Sequence, residues 1–264
     1  MAVDLEVVAL VDAAGTFPEP ARQAFPNASE ADWERAAAAD PGAFGPADGW
    51  RLDFRCFAVR RPGGRVVLVD AGVGGPGSPA ADWAPVPGRL PQALREAGIA
   101  AADVEAVVLT HLHNDHTGWA VGPDGAPFFP GARYVVQRAE TAALAAEAAV
   151  QEHVVRPLRR AGVLQEVAGR HRLCPGVELL PTPGHTAGHQ SVLVTAAGQE
   201  TLLTGDVLVH AVQWVNPAVR YLYEDDPERA RETREALLAR AAARGQVLGT
   251  PHLTRAFVRA FVRP

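Results

Sequence analysis

Apolar and polar positions alternate with strand periodicity at both "VDLEVVALVD" (3–12) and "RLDFRCFAVR" (51–60). The run "RVVLVDAG" (65–72) follows Pro62-Gly63-Gly64, a turn signal, so 51–60 and 65–72 are expected to form a hairpin. "VEAVVLTH" (104–111) is continuously apolar, as in a strand buried on both faces. "RYVVQ" (133–137), "VELLP" (177–181), "SVLVT" (191–195), "ETLLTGD" (200–206) and "QVLGTPH" (246–252) complete the strand set. Between them lie helical stretches. "SEADWERAAAA" begins at an N-cap, Ser29, and "LPQALREAG" ends on Gly98. The Ala-rich run 138–162 should be kinked or divided by Pro157. Residues 226–245 carry Asp226 as N-cap, Pro227 at the first helical position and Gly245 just past the end. Segments 13–50 and 72–89, rich in Pro and Gly, are expected to be loops forming a substrate-side rim. Strands interspersed with helices predict an α/β layered architecture, as one domain over residues 1–264.

Composition narrows the function classes. A net charge of −5 gives no electrostatic case for nucleic acid or an anionic membrane. All 25 basic residues are Arg, which excludes Schiff-base lysine chemistry and a P-loop lysine. No run reaches the ~18 apolar residues of a membrane span. The N-terminus "MAVDLEVVAL" carries acidic residues and lacks the basic start of a signal peptide, so a cytoplasmic location is expected. Cys56 and Cys174 are far apart, lack metal-pair spacing and read as reduced thiols.

The chemistry concentrates in "THLHNDHTG" (110–118). His111 and His113, two apart at a strand end, point the same way if the pleat persists and can chelate one metal. Asp115 and His116 follow the turn and can face a second. Imidazoles and carboxylates suit Zn²⁺, with Mn, Fe or Co as alternatives. Three further candidates each follow or end a strand-like run: His185 in "PTPGHTAGHQS", Asp206 in "LLTGD" and His252 in "GTPH".

In this order "LVDAG", "THLHNDHTG", "TPGHTAGHQS", "LLTGD" and "GTPH" resemble the metallo-β-lactamase superfamily of hydrolases, over residues 68 to 252. The resemblance implies a four-layer αββα sandwich with the site at one edge of the sheets. It implies two metals, with His111, His113 and His185 on the first, Asp115, His116 and His252 on the second, and Asp206 bridging. A hydroxide between the metals would be the nucleophile, with Asp115 as the catalytic proton carrier. His189 and Asp70 would support ligands rather than bind metal. His210, four past Asp206, either reaches the pocket or is a packed or solvent-facing imidazole. Trp119, Trp214 and Tyr223 either line a pocket or pack.

Among branches of that family, several patterns are absent. Zinc β-lactamases generally lack the bridging Asp, and flavin-linked di-iron members replace the second His with Glu. Glyoxalase II enzymes add a helical C-terminal domain, whereas twelve residues follow His252 here. The expected function is hydrolysis of a small ester or lactone, as in the acyl-homoserine lactonases. A phosphotriesterase-like hydrolase is the alternative, and a metal-stabilised fold without turnover is the reading least supported by seven intact ligands. Lactonases place a Tyr three residues after the bridging Asp, where Val209 stands; Tyr221 or Tyr223 are the candidates to replace it. The expected partner is a small-molecule substrate, with no nucleic acid and no membrane, and a homodimer is left open.

Overall fold

The computed structural model describes residues 4–46, 49–145 and 148–260. Two six-stranded sheets form. The first runs in chain order: β1 (Glu6–Thr16), β2 (Arg51–Arg60), β3 (Val66–Val69), β4 (Val104–Val108), β5 (Arg133–Gln137) and β6 (Leu164–Val167). β1, β2 and β3 pair antiparallel, and β3 to β6 pair parallel. The second contains β7 (His171–Cys174), β8 (Val177–Pro181), β9 (Gln190–Ala196), β10 (Gln199–Leu203), β11 (Val247–Gly249) and β12 (Phe257–Arg259), in spatial order β12-β11-β10-β9-β8-β7. It is antiparallel except for the β10–β11 pair.

Side-chain alternation builds the layers. Val67, Val69, Ala106, Val108 and Val135 from the first sheet meet Val177, Leu179, Val192, Val194 and Leu203 from the second, forming an inter-sheet core. The opposite face of the first sheet (Leu68, Val107, Tyr134, Val136) packs on Leu90, Leu94, Val155 and Leu158 from helical segments. The opposite face of the second (Leu193, Leu202, Leu248) packs on Trp33, Ala36, Val212, Leu237 and Leu238. Helix, sheet, sheet, helix is the four-layer arrangement expected from the motifs.

Local signals hold in detail. The helix Glu30–Ala39 starts at Ser29 with a capping box to Asp32, and Pro227–Arg244 runs from an Asp226 cap to a left-handed Gly245. The expected hairpin is β2–β3. Residue 3, given to the first strand by its pattern, lies outside the described residues, as do 47 and 48 in the expected loop. The 138–162 run departs from expectation. It forms a helix Arg138–Ala143, leaves helical geometry at Leu144, and resumes as a π-helical turn Gln151–Val155 followed by the helix Arg156–Arg160; 146 and 147 are not described. Pro157 lies just past the change from π to α geometry at Val155–Arg156, inside a continuous helical stretch, so the run is broken at Leu144 and not at the proline. Among the described residues no helix is long and apolar enough to cross a membrane.

Candidate metal centre

The parallel strands β3 and β4 and the second sheet's β8, β10 and β11 all deliver their following loops to one edge. "THLHNDHTG" turns there into a short helix Asn114–Thr117 whose closing Gly118 must pass the β3 loop. Gly118 N–H donates to Gly72 O (2.8 Å), and a Cβ at Gly118 would sit 2.2 Å from the Val73 carbonyl carbon, so only glycine fits. Asp70, in a left-handed conformation (φ 63°), ties both loops. Its carboxylate accepts from Thr110 N–H (2.8 Å) and Thr110 Oγ1 (3.0 Å), and pairs with His116 Nδ1 (2.9 Å). Asp70 therefore orients His116 and sits behind it.

All seven sequence-derived candidates converge in two clusters: His111, His113, His185 and Asp206, and Asp115, His116 and His252. In the first, His111 Nε2 lies 3.0 Å from His113 Nδ1, which is 3.1 Å from His185 Nε2. In the second, His116 Nε2 lies 3.3 Å from His252 Nε2 and 3.3 Å from Asp115 Oδ2. Asp206 faces both. Its Oδ2 is 3.3 Å from His185 Nε2, and its Oδ1 is 3.2 Å from both His116 Nε2 and His252 Nε2.

The other ring nitrogens decide what these atoms are. His116 Nδ1 is spent on Asp70, His252 Nδ1 donates to Asp53 O (2.8 Å), and His111 Nδ1 donates to Thr110 Oγ1 (3.0 Å), whose own proton goes to Asp70. With those nitrogens so committed, neutral rings would turn lone pairs toward one another and toward Asp206; burial opposes charge on His116 and His252, but Asp206 and Asp115 hold both above the ordinary imidazole range, so that without a cation protons take its place. Asp206 Oδ1 and His185 Nδ1 are also buried without a hydrogen-bond partner. Converging buried lone pairs call for cations, and the His/Asp donor set fits divalent metals of the zinc type. Burial holds His111 and His185 well below the ordinary imidazole range, which keeps them competent as ligands. Burial opposes the charge of Asp115, but His116 and His252 offset it and its carboxyl lies below the usual range.

Asp206 is placed by Gly205 and His189. Its N–H donates to His189 Nε2 (2.9 Å), whose Nδ1 points at Thr182 Oγ1 (2.8 Å). Burial pushes the His189 pKa down to about 4, so the ring stays neutral and accepts. Gly205 has φ 54°, and a Cβ there would lie 2.5 Å from that Nε2.

A cleft of about 380 Å³ opens over the centre. Phe17, Trp50, Leu52, Trp83, Val209, Tyr221 and Tyr223 line it together with His113, Asp115, His185, Asp206 and His252; among the described residues no Arg does. Of the rim aromatics, Phe17, Trp50 and Trp83 reach the cleft, while Phe25, Trp33 and Phe44 pack behind it around His210. His210 is core. It is fully buried, and its Nδ1 accepts from Val212 N–H (3.1 Å). Trp214 is buried with its indole N–H on Arg259 O (2.9 Å), and Trp119 donates to Asp12 (3.1 Å). The two tyrosines differ. Tyr223 is half exposed and its hydroxyl donates to Glu19 (3.0 Å). Tyr221 is 7% exposed, stacks parallel to His185 (6.1 Å, 8°), and its hydroxyl makes no hydrogen bond among the described residues.

Sequence reasoning missed several supports. Glu140 and Arg55 hold the ligand loops, and Arg234, fully buried, pairs with Glu224 (2.8 Å) while donating to Pro217 O and Val219 O behind Tyr221. A buried charge amid an Ala-rich or Arg-rich helix looks like a solvated one in sequence; only the isolated Glu140 between Ala139 and Thr141, just after a buried strand, offers a signal.

Comparisons with known proteins agree with this geometry. The model of the metallo-beta-lactamase superfamily matches residues 55–252. An N-acyl homoserine lactonase of Bacillus sp. is 35% identical over 122 residues, covering 46% of this chain and 43% of that protein. N-acyl homoserine lactonase AiiB of Agrobacterium fabrum is 29% identical over 145 residues, half of each chain. The chain thus matches half or less of the length of these curated relatives. Among solved structures, the hydrolase AbOPH of the beta lactamase superfamily superposes with a TM-score of 0.83 at 23% identity, over 100% of this chain and 92% of that one. AidC, a dizinc quorum-quenching lactonase, gives 0.82 at 18% identity, over 100% and 92%. With the family model spanning β2 to the last candidate ligand, this chain belongs to the metallo-beta-lactamase superfamily.

Proposed function

We propose that the chain is a metal-dependent hydrolase of a small neutral ester or lactone. The observation that carries this reading is Asp206: its two oxygens face two separate ligand clusters under an apolar cleft, as a carboxylate shared by two cations would. His111, His113 and His185 would hold one ion, Asp115, His116 and His252 the other. Bound there, zinc-type cations supply Lewis acidity and lower the pKa of water toward about 7.

The chain's own residues do the rest. Asp115 lines the cleft as a carboxylate, which supports a role in carrying the proton from attacking water to the leaving alkoxide. Phe17, Trp50, Leu52 and Trp83 form apolar walls for an alkyl or acyl substituent. Tyr221 supports the reading as the donor for the ester oxygen that Val209 cannot supply, since its hydroxyl is free while that of Tyr223 is occupied by Glu19. With no Arg among the described residues lining the cleft and Glu19 at it, the site favours neutral substrates over phosphodiesters and disfavours retention of a carboxylate product. The lactonase relatives support the substrate class.

A series of γ-lactones with growing alkyl chains tests it. Each methylene buried against the walls is expected to raise kcat/KM by up to about fourfold, from about 0.8 kcal/mol. A flat series, or faster turnover of bis-aryl phosphates than of any lactone, assigns the site to phosphoester hydrolysis instead.

A further inference from the structure

Two buried charged residues outside the ligand set each grip one half of the centre. Glu140, in the helix that follows β5, is 4% exposed. One carboxylate oxygen accepts from Leu112 N–H (3.0 Å), between His111 and His113. The other accepts from Thr186 Oγ1 (2.7 Å) and Gly188 N–H (2.8 Å), just past His185. A Cβ at Gly188 would lie 2.1 Å from Glu140 N, so the glycine permits this approach. A single carboxylate therefore ties together the two loops that supply all three imidazoles of the first cluster.

Arg55, in β2 and 5% exposed, holds the loop that supplies one ligand of the second cluster, His252, while Asp115 and His116 follow Leu112 on the 110–118 loop. Its guanidinium donates to the carbonyls of Thr250 (3.4 Å), Leu253 and Thr254 (2.8 Å), and pairs with Asp53. Those carbonyls bracket His252. The β2 backbone completes the grip: Asp53 N–H donates to His252 O (3.3 Å), and Asp53 O accepts from His252 Nδ1 (2.8 Å). Asp40 fixes the far side of the same loop through Thr254 N–H (3.0 Å) and Thr254 Oγ1. No hydrogen bond of Glu140 reaches residues 250–256, and none of Arg55 reaches 111–113 or 185–188.

We propose that Glu140 and Arg55 are positioning residues, one for each half of the metal centre, so that the cation affinity of each half is set by its own frame. The proposal rests on the dinuclear reading above. Each partner fits its task chemically. Glu140 accepts at both oxygens, and a glutamine would turn an NH₂ toward a backbone N–H on one side. Arg55 serves several carbonyls at once with a planar fork that a lysine lacks.

The test uses the full chain stripped of metal and titrated with Zn²⁺ against a chromogenic chelator, a readout independent of turnover. Glu140→Gln should weaken one of the two ions by about 10–100-fold, the usual effect of losing a group that orients ligands. Arg55→Lys should weaken the other by a similar factor. Assignment comes from backgrounds that lack one half. In His252→Ala, Glu140→Gln should still cost about 10–100-fold on the remaining ion, while Arg55→Lys changes it by less than about twofold. In His185→Ala the pattern should reverse. If Arg55→Lys fails to fold, Thr254→Val, which removes only the hydroxyl contact to Asp40, should shift the same ion by a smaller factor. Two ions in wild type with equal weakening of both by either variant, or no weakening by either, overturns the proposal alone. Fewer than two ions in wild type overturns the dinuclear reading and the proposal with it.

Discussion

His210→Phe isolates one buried imidazole from all the others. His210 is enclosed by Phe25, Trp33, Phe44 and Trp50 at ring distances of 5.3 to 5.6 Å. Its Nδ1 accepts from Val212, so its proton sits on Nε2, which has no hydrogen-bond partner. Burial drives its pKa down to about 3, against about 6.5 in the unfolded chain. Between those values the unfolded chain binds a proton that the folded one refuses. Stability from this site is therefore complete above about pH 6.5 and declines as pH falls toward 3, at up to about 1.4 kcal/mol per unit. By pH 5 the loss is about 2 kcal/mol. Phenylalanine fills the cage without titrating but gives up the helix cap, at a pH-independent cost of about 1 kcal/mol. Urea unfolding at pH 7.5, 6 and 5 reads the difference, in which the titration of every other histidine cancels. The variant is expected to be less stable by about 1 kcal/mol at pH 7.5 and more stable by about the same at pH 5. Parallel curves for the two proteins would refute the reasoning.

Three further outcomes are expected. Elemental analysis of protein purified without chelator should find about two zinc-type ions per chain, and a value near zero with no uptake on adding Zn²⁺, Mn²⁺ or Co²⁺ counts against the centre. Asp206→Ala should lose one ion and most activity, because its carboxylate faces both clusters and offsets the repulsion of two dications; a variant that keeps both ions and near-normal turnover removes Asp206 as a bridge. Tyr221→Phe should lower kcat/KM by about tenfold with metal content unchanged, the cost of one hydrogen bond to the reacting oxygen, while Tyr223→Phe changes it little; the opposite ranking transfers the role to Tyr223.

The elements that sequence located best are those whose signals are local. Runs 51–60, 133–137 and 177–181 match their strands in full, and the Ser29, Asp226 and Gly245 caps fall as read. β6, β7 and β12 were missed: all three are sheet-edge strands of only three or four residues, too short for a periodic pattern to mark them. The ligand positions were legible because strand ends and His spacing coincide in one sequence segment. Of their supports, Asp70 and His189 were legible from the motifs, but Arg55 earns its burial from a loop up to 199 residues away, as in the Arg55–Thr254 bond, and nothing local distinguishes it from a surface charge; Glu140 offers only its place just after a buried strand. His210 was ambiguous for the same reason, since its cage is assembled from residues 25 to 50.

The ligands of each cluster come from both sheets: His111, His113, Asp115 and His116 follow β4, while His185, Asp206 and His252 follow β8, β10 and β11. Cations seated there would rivet the sandwich along one edge. Saturation at about a thousandfold over Kd would add about 4 kcal/mol per independent ion to that edge alone. The far edge, where the β2–β3 turn at Pro62–Gly64 and the β9–β10 turn at Ala197 and Gly198 lie, would gain nothing directly. A chain deprived of metal would then open first at its ligand loops, and limited proteolysis would cut there while the opposite turns keep their unstarved cleavage rate.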